Sequence, residues 1–129
     1  MPNLNLSLLE GRFAVVQLDP SASIPTWALE GEFFTVSKTS EELSIVCLES
    51  NVPDGLRLER DWACLKLQGP FEFSMTGILL SVLEPLAKVQ VGIFAISTFN
   101  TDYVLIKNGL LETAIAALES VGHRVARGA

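Results

Sequence analysis

One segment of this chain reads almost the same way twice. Setting "FFTVSKTSEELSIVC" (33–47) beneath "IFAISTFNTDYVLIK" (93–107), 11 of 15 positions agree in being apolar or polar, with Phe34/Phe94 and Ser37/Ser97 identical. In a chain that is 49% apolar, chance alone gives about seven or eight such matches. The shared order therefore weighs more than the count. Each copy runs from a β-rich segment through a polar tip ("TSEE", "FNTD") into a second β-rich segment, the pattern of a hairpin. A chain that builds this hairpin twice is expected to hold two pseudo-repeats, over residues 1–60 and 61–129.

The downstream copy has clear neighbours. In "WACLKLQG", Ala63, Leu65 and Leu67 alternate with Cys64, Lys66 and Gln68 as a strand would. In "EFSMTGILLSVLEPLAKVQ", Ser74 or Thr76 can cap a helix over residues 76–90, with Ile78, Leu79, Val82, Leu83 and Leu86 at helical spacing and Pro85 placed to bend it. Beyond the hairpin, Asn108 can cap "GLLETAIAALESVG", with Gly122 ending that helix in the left-handed conformation, and "HRVAR" closes as a strand. The downstream half is thus β-α-β-β-α-β, an α+β ferredoxin-like plan. The upstream half is a thinner version, first strand "GRFAVVQL". "SIPTWALEG" allows two helical turns at most, and "SNVPDG" only one before "LRLER". Helices so short are expected to leave the first sheet in need of cover from the second half.

Charge and cysteine usage remove several functions. Nine basic residues against fifteen acidic ones give a net charge of −6 with no basic cluster, so neither nucleic acid nor an anionic membrane surface is an expected partner. Cys47 and Cys64 lie inside apolar segments and make no disulfide framework, which suits a reducing cytoplasm. No targeting segment or membrane span is read in the sequence. Metal-ligand spacings and a phosphate-binding loop are missing, so no cofactor is expected. One histidine, His123, follows Gly122 and reads as a helix exit rather than a base or ligand. Glu41, Glu42, Glu49 and Glu59 read as a solvated surface, and Trp27 and Trp62 as packing.

"TGILLSVLEPLAKVQVGIFAISTFNTDYVLI" resembles the ACT domain family, and the full layout over about residues 4–125 is similar to the CASTOR-like subgroup with tandem ACT units. The most specific parts are "FSMTG" and "FAISTFNTDYVLI". The resemblance implies βαββαβ modules that bind amino acids and regulate a linked or associated protein, without catalysis of their own. It also implies where the ligand sits. One part is the loop Phe73, Ser74, Met75, Thr76 and Gly77 entering the first helix; the other is the strand end Ile96, Ser97, Thr98, Phe99 and Asn100 with the turn to Asp102. Helix-start N–H groups suit a carboxylate, and strand-end carbonyls with Asp102 suit an ammonium group. The chain departs from the pattern at Asn100, where many relatives of this kind carry Asp, and so has one negative charge fewer there.

Plainer readings stand beside these. Gly77 also suits close helix packing, and Asp102 in a hairpin tip also suits a bond to its own turn. Ser97 and Thr98 recur upstream as Ser37 and Lys38, as a paired site or as ordinary sheet-end polar residues. In "VGIFAIS" and "YVLI" both alternating sets are apolar, the pattern of strands covered on both faces. The cover is expected from the other repeat or from a second copy, and a homodimer is the expected assembly. The alternative to a sensor is an assembly module that keeps the fold without the ligand.

Overall fold

The computed structural model describes residues 3–71 and 77–128. Its elements in chain order are β1 (Asn5–Leu8), β2 (Phe13–Leu18), a 3-10 turn (Thr26–Leu29), β3 (Thr35–Lys38), β4 (Leu43–Leu48), a 3-10 turn (Glu49–Asn51) and β5 (Arg57–Leu67). Then follow α1 (Ile78–Lys88), β6 (Phe94–Ser97), β7 (Asp102–Lys107), a 3-10 turn (Asn108–Leu110), α2 (Leu111–Ser120) and β8 (Arg124–Ala126). They fall into two compact units, residues 11–62 and residues 1–10 with 63–129.

In the first unit the strands lie in the order β3-β4-β2-β5. Apolar residues on one face gather Ala14, Val16, Leu43, Ile45 and Cys47 with Ala28 into a core, lined further by Trp27, Val36, Val52, Leu56 and Leu58. Within this unit, cover for that face comes from short segments. A single 3-10 turn carrying Trp27 and Ala28, with the irregular segments beside it, closes this face without a full helix.

The second unit carries the β-α-β-β-α-β order with one addition. β6 pairs β7, and β7 pairs β5, but β8 does not reach β5. Strand β1, which the sequence pattern did not reveal, lies between them, antiparallel to β5 (Leu6 opposite Leu67) and parallel to β8 (Leu6 opposite Val125). The four residues Asn-Leu-Ser-Leu alternate, but the run is too short to stand out. Leu4 and Leu6 join Leu65, Leu67, Ile78, Val82, Leu86, Val104, Ile106, Ala114 and Leu118 in the core under the two helices.

One strand serves both units. "LRLER" and "WACLKLQG" are a single β5, interrupted where Asp61 takes a positive φ of 69° and the register against β2 shifts between Phe13 and Val15. This is a bulge, and it changes which alternate residues are buried: Leu58 packs inward before it, and Ala63, Leu65 and Leu67 after it.

The helix ends follow the chain chemistry. Gly122 (φ 99°) ends α2 in a Schellman motif, with His123 N–H bonded to Leu118 O (3.1 Å) and Gly122 N–H to Glu119 O (3.1 Å). α1 ends in the same way with Gln90 (φ 59°) in the glycine position. Asn108 does not cap α2. It opens the 3-10 turn before it, and the residue at the cap is Leu110. The start of α1 at residue 76 and its capping by Ser74 or Thr76 fall on residues outside those described. α1 runs on through Pro85 to Lys88.

The two hairpins are equivalent, but at an offset of 59 rather than 60. β3 and β6, β4 and β7, and the 3-10 turns after them correspond bound for bound at that offset. Ser44 then corresponds to Tyr103 and Ile45 to Val104, the inward residue of each unit. A one-residue slip exchanges the two faces of a strand, and strands apolar on both faces carry little information against it.

Candidate functional site

The hairpin tip is built by threonines. Thr98 N–H bonds Thr101 O at 2.8 Å, the Thr98 hydroxyl donates to the same carbonyl at 3.0 Å, and Thr101 N–H reaches back to Thr98 Oγ1 at 3.4 Å. Thr101 is nearly fully buried, and its hydroxyl donates to Leu67 O at the end of β5 (2.6 Å). Phe71 N–H donates to Asn100 O at 2.9 Å. A Cβ on Gly69 would stand 2.9 Å from that same Asn100 carbonyl, so the chain leaving β5 passes the tip at a distance only glycine permits. The segment that leads to the helix start is thereby knitted to the hairpin tip. Thr101, Gly69 and Phe71 had no distinguishing signal in the sequence, because a threonine in a polar tip and a Gly-Pro after a strand read as ordinary turn residues.

Register then decides which side chains share a face. Ser97 pairs Asp102, Ile96 pairs Tyr103 and Ala95 pairs Val104. Val104 packs with Ile78 and Val82 of α1, so alternation puts Ser97 and Asp102 on the helix-bearing face and Ile96 on the opposite one. The Ser97 hydroxyl donates to the Asp102 carboxylate. That bond holds one carboxylate oxygen at the strand end and leaves lone pairs for a further donor. Phe99 and Asn100 project at the exposed tip, Phe99 with 80% of its surface accessible.

Gly77 sits immediately before α1 in the left-handed conformation (φ 78°), and its carbonyl accepts the first helical bond, from Ser81 N–H at 3.0 Å. Its chain neighbours aside, no atom of the described residues lies within 4 Å of where a Cβ would stand. The dihedral by itself calls for glycine there. The first N–H groups of α1 have no helical acceptor and carry the positive end of the helix dipole. Phe73, Ser74, Met75 and Thr76 lie outside the described residues. Of the candidates, the structure brings Ser97 and Asp102 to one face with the helix that Gly77 opens. It puts Ile96 on the other face and Thr98, Phe99 and Asn100 at the tip.

Clefts among the described residues lie elsewhere. One of about 150 Å³ runs between the C-terminal ends of α1 and α2, beside Pro85, Val89 and Val121. Another of about 230 Å³ lies over the sheet of the first unit beside Gln17, Glu42 and Arg57. Among the described residues no group of three or more His, Cys, Asp or Glu is placed to hold a metal ion, and no helix is long and apolar enough to cross a membrane.

A β-α-β-β-α-β sheet with its helices on one face defines a small ferredoxin-like module. Residues 57–120 match the family model described as ACT domain, and residues 11–55 match a second model, for an N-terminal domain. The second half of the chain thus carries an ACT domain family match. It is similar over its whole length to a crystal structure of an Agrobacterium tumefaciens protein, with 40% identity, TM-score 0.94 and coverage of 100% of this chain and 96% of that one. It is also similar to a Vibrio cholerae protein described as a possible transport protein (15% identity, TM-score 0.74, 93% and 91% covered). The regulatory subunit of aspartate kinase from Thermus thermophilus shares the fold as well (10% identity, TM-score 0.62, 89% and 95% covered). No curated protein matches.

Proposed function

We propose that this chain is a non-enzymatic regulatory protein that binds an amino acid or a similar small molecule through its second unit. In this reading it is a tandem ACT protein of the CASTOR-like kind, a cytoplasmic homodimer that acts on a regulated protein partner. The observation that carries the reading is the strand end at Ser97 and Asp102. It offers an oriented carboxylate on the sheet face that bears the helix beginning at the left-handed Gly77. An α-amino acid has an ammonium group for the first and a carboxylate for the second. The neighbours' regulatory setting agrees with this reading, and the doubled strand order supports the tandem kind.

The test is a thermal unfolding screen with the common amino acids at millimolar concentration. A ligand at about 100 times its Kd stabilises by about 2.7 kcal/mol, a rise on the order of 10 °C for a domain of this size. Asp102→Ala is expected to abolish most of that rise while costing the free protein about 1 kcal/mol, the worth of the bond from the exposed Ser97 hydroxyl to this half-buried carboxylate. The second reading, an assembly module without a ligand, is favoured by the exposed Phe99 at the tip. It takes over if no amino acid moves the melting temperature, or if Asp102→Ala leaves a positive response intact.

A further inference from the structure

His123 is the residue the sequence left with least to do, and it is 4% exposed with both ring nitrogens engaged. Its Nδ1 accepts from Leu4 N–H at 3.0 Å, and its Nε2 stands 2.8 Å from Ser81 O. The second contact has a cause in the helix. Pro85 has no N–H, so the carbonyl four residues earlier, that of Ser81, loses its helical donor inside a buried stretch of α1. A carbonyl only accepts and an N–H only donates, so the ring must be neutral with its proton on Nε2. The Schellman bond from His123 N–H to Leu118 O fixes where the residue leaves α2, and Arg124 N–H returns a bond to Leu4 O at 2.9 Å.

We propose that His123 is an acid-sensitive latch that holds β1 in the sheet of the second unit. Adding a proton to Nδ1 turns the acceptor of Leu4 N–H into a second donor, and two donors then face each other in a site closed to water. The bond to Ser81 O survives protonation, so the break falls on the β1 side. The charged groups on the packed helices are Glu84 and Lys88 of α1 and Glu112 and Glu119 of α2, with Arg124 beside the ring and Glu112 paired to Arg127 at 2.6 Å. All are exposed, and Glu84 and Lys88 pair with each other at 3.8 Å, so none of them supplies a buried counter-charge for the imidazolium. β1 has no charged residue of its own. Its release uncovers Leu4 and Leu6 and leaves backbone groups of β5 and β8 open to another strand.

Amide hydrogen exchange on the full chain, corrected for intrinsic rates, tests this between about pH 7.5 and about pH 5, a range that brackets ordinary imidazole titration. The amides of residues 4–8 are expected to lose about tenfold or more of their protection relative to those of α2, the worth of one buried hydrogen bond. In His123→Asn, whose amide oxygen accepts from Leu4 without titrating, that loss is expected to vanish. An equal loss in His123→Asn, or unchanged protection in the natural chain at the lower pH, overturns the proposal. Should His123→Asn not fold, the imidazole nitrogen shifts of the natural chain decide: a proton on Nδ1 at pH 7.5, or protonation uncoupled from the exchange, also overturns it.

Discussion

Cys64 shows how little a residue's neighbours in sequence say about its chemistry. "WACLKL" reads as a strand with Cys64 on the polar side of the alternation, beside Lys66 and Gln68, yet the thiol is fully buried. Burial pushes it from the ordinary 9.0 up to about 12. Because the folded value is raised, its contribution to stability is complete below the ordinary thiol value and is lost as pH climbs from there toward about 12. Burial raises Cys47 and Tyr103 in the same direction. The denaturation midpoint is therefore expected to fall between about pH 9 and about pH 11, and to fall less in Cys64→Ala. An identical alkaline loss in that variant would show that the thiol takes no part. His123 makes the same point from the other side. The sequence places it at a helix exit, which it occupies, but only the fold reveals that the carbonyl orphaned by Pro85 lies within reach of its ring.

At the scale of elements, the hairpins, both helices, the short first-unit turns and the closing strand were legible because each leaves a periodic or punctuating mark. Helical spacing marks α1 and α2, Gly122 marks an end, and polar tips mark the hairpins. β1 and the bulge at Asp61 were not legible. A four-residue strand is specified by the partners it slides between, and a bulge is specified by a mismatch between two strands distant in sequence. The tip of the downstream hairpin was recognised as polar without the anchor that fixes it. Thr101→Val removes the buried bond to Leu67 O and leaves that carbonyl short of a donor, which is expected to cost about 1–3 kcal/mol. Thr98→Val, at the exposed side of the same turn, is expected to cost about 0.5 kcal/mol or less. Urea unfolding of the two variants separates them, and equal losses would mean that the tip is not tied to β5 through Thr101.

Across the whole chain, one strand order occurs twice. In each unit the hairpin's second strand lies beside the opening strand, and the closing strand lies beyond it: β3-β4-β2-β5 in the first, and β6-β7-β5 followed by β1 and β8 in the second. β5 closes one unit and opens the next. The doubling was visible in hydropathy, while its true offset of 59 was not, because strands buried on both faces look alike when slid by one residue. Only the second unit has full helices, and the sheet face that carries them also carries the Asp102 carboxylate at its strand end. The central claim is that a small zwitterion is recognised there. Amide chemical-shift mapping of the full chain, titrated with whichever amino acid raises the melting temperature, tests it directly. Saturable shifts centred on Gly77, Ser97 and Asp102 are expected, and they are expected to disappear in Asp102→Ala. Shifts confined to residues 11–62, or shifts that persist unchanged in that variant, would contradict it.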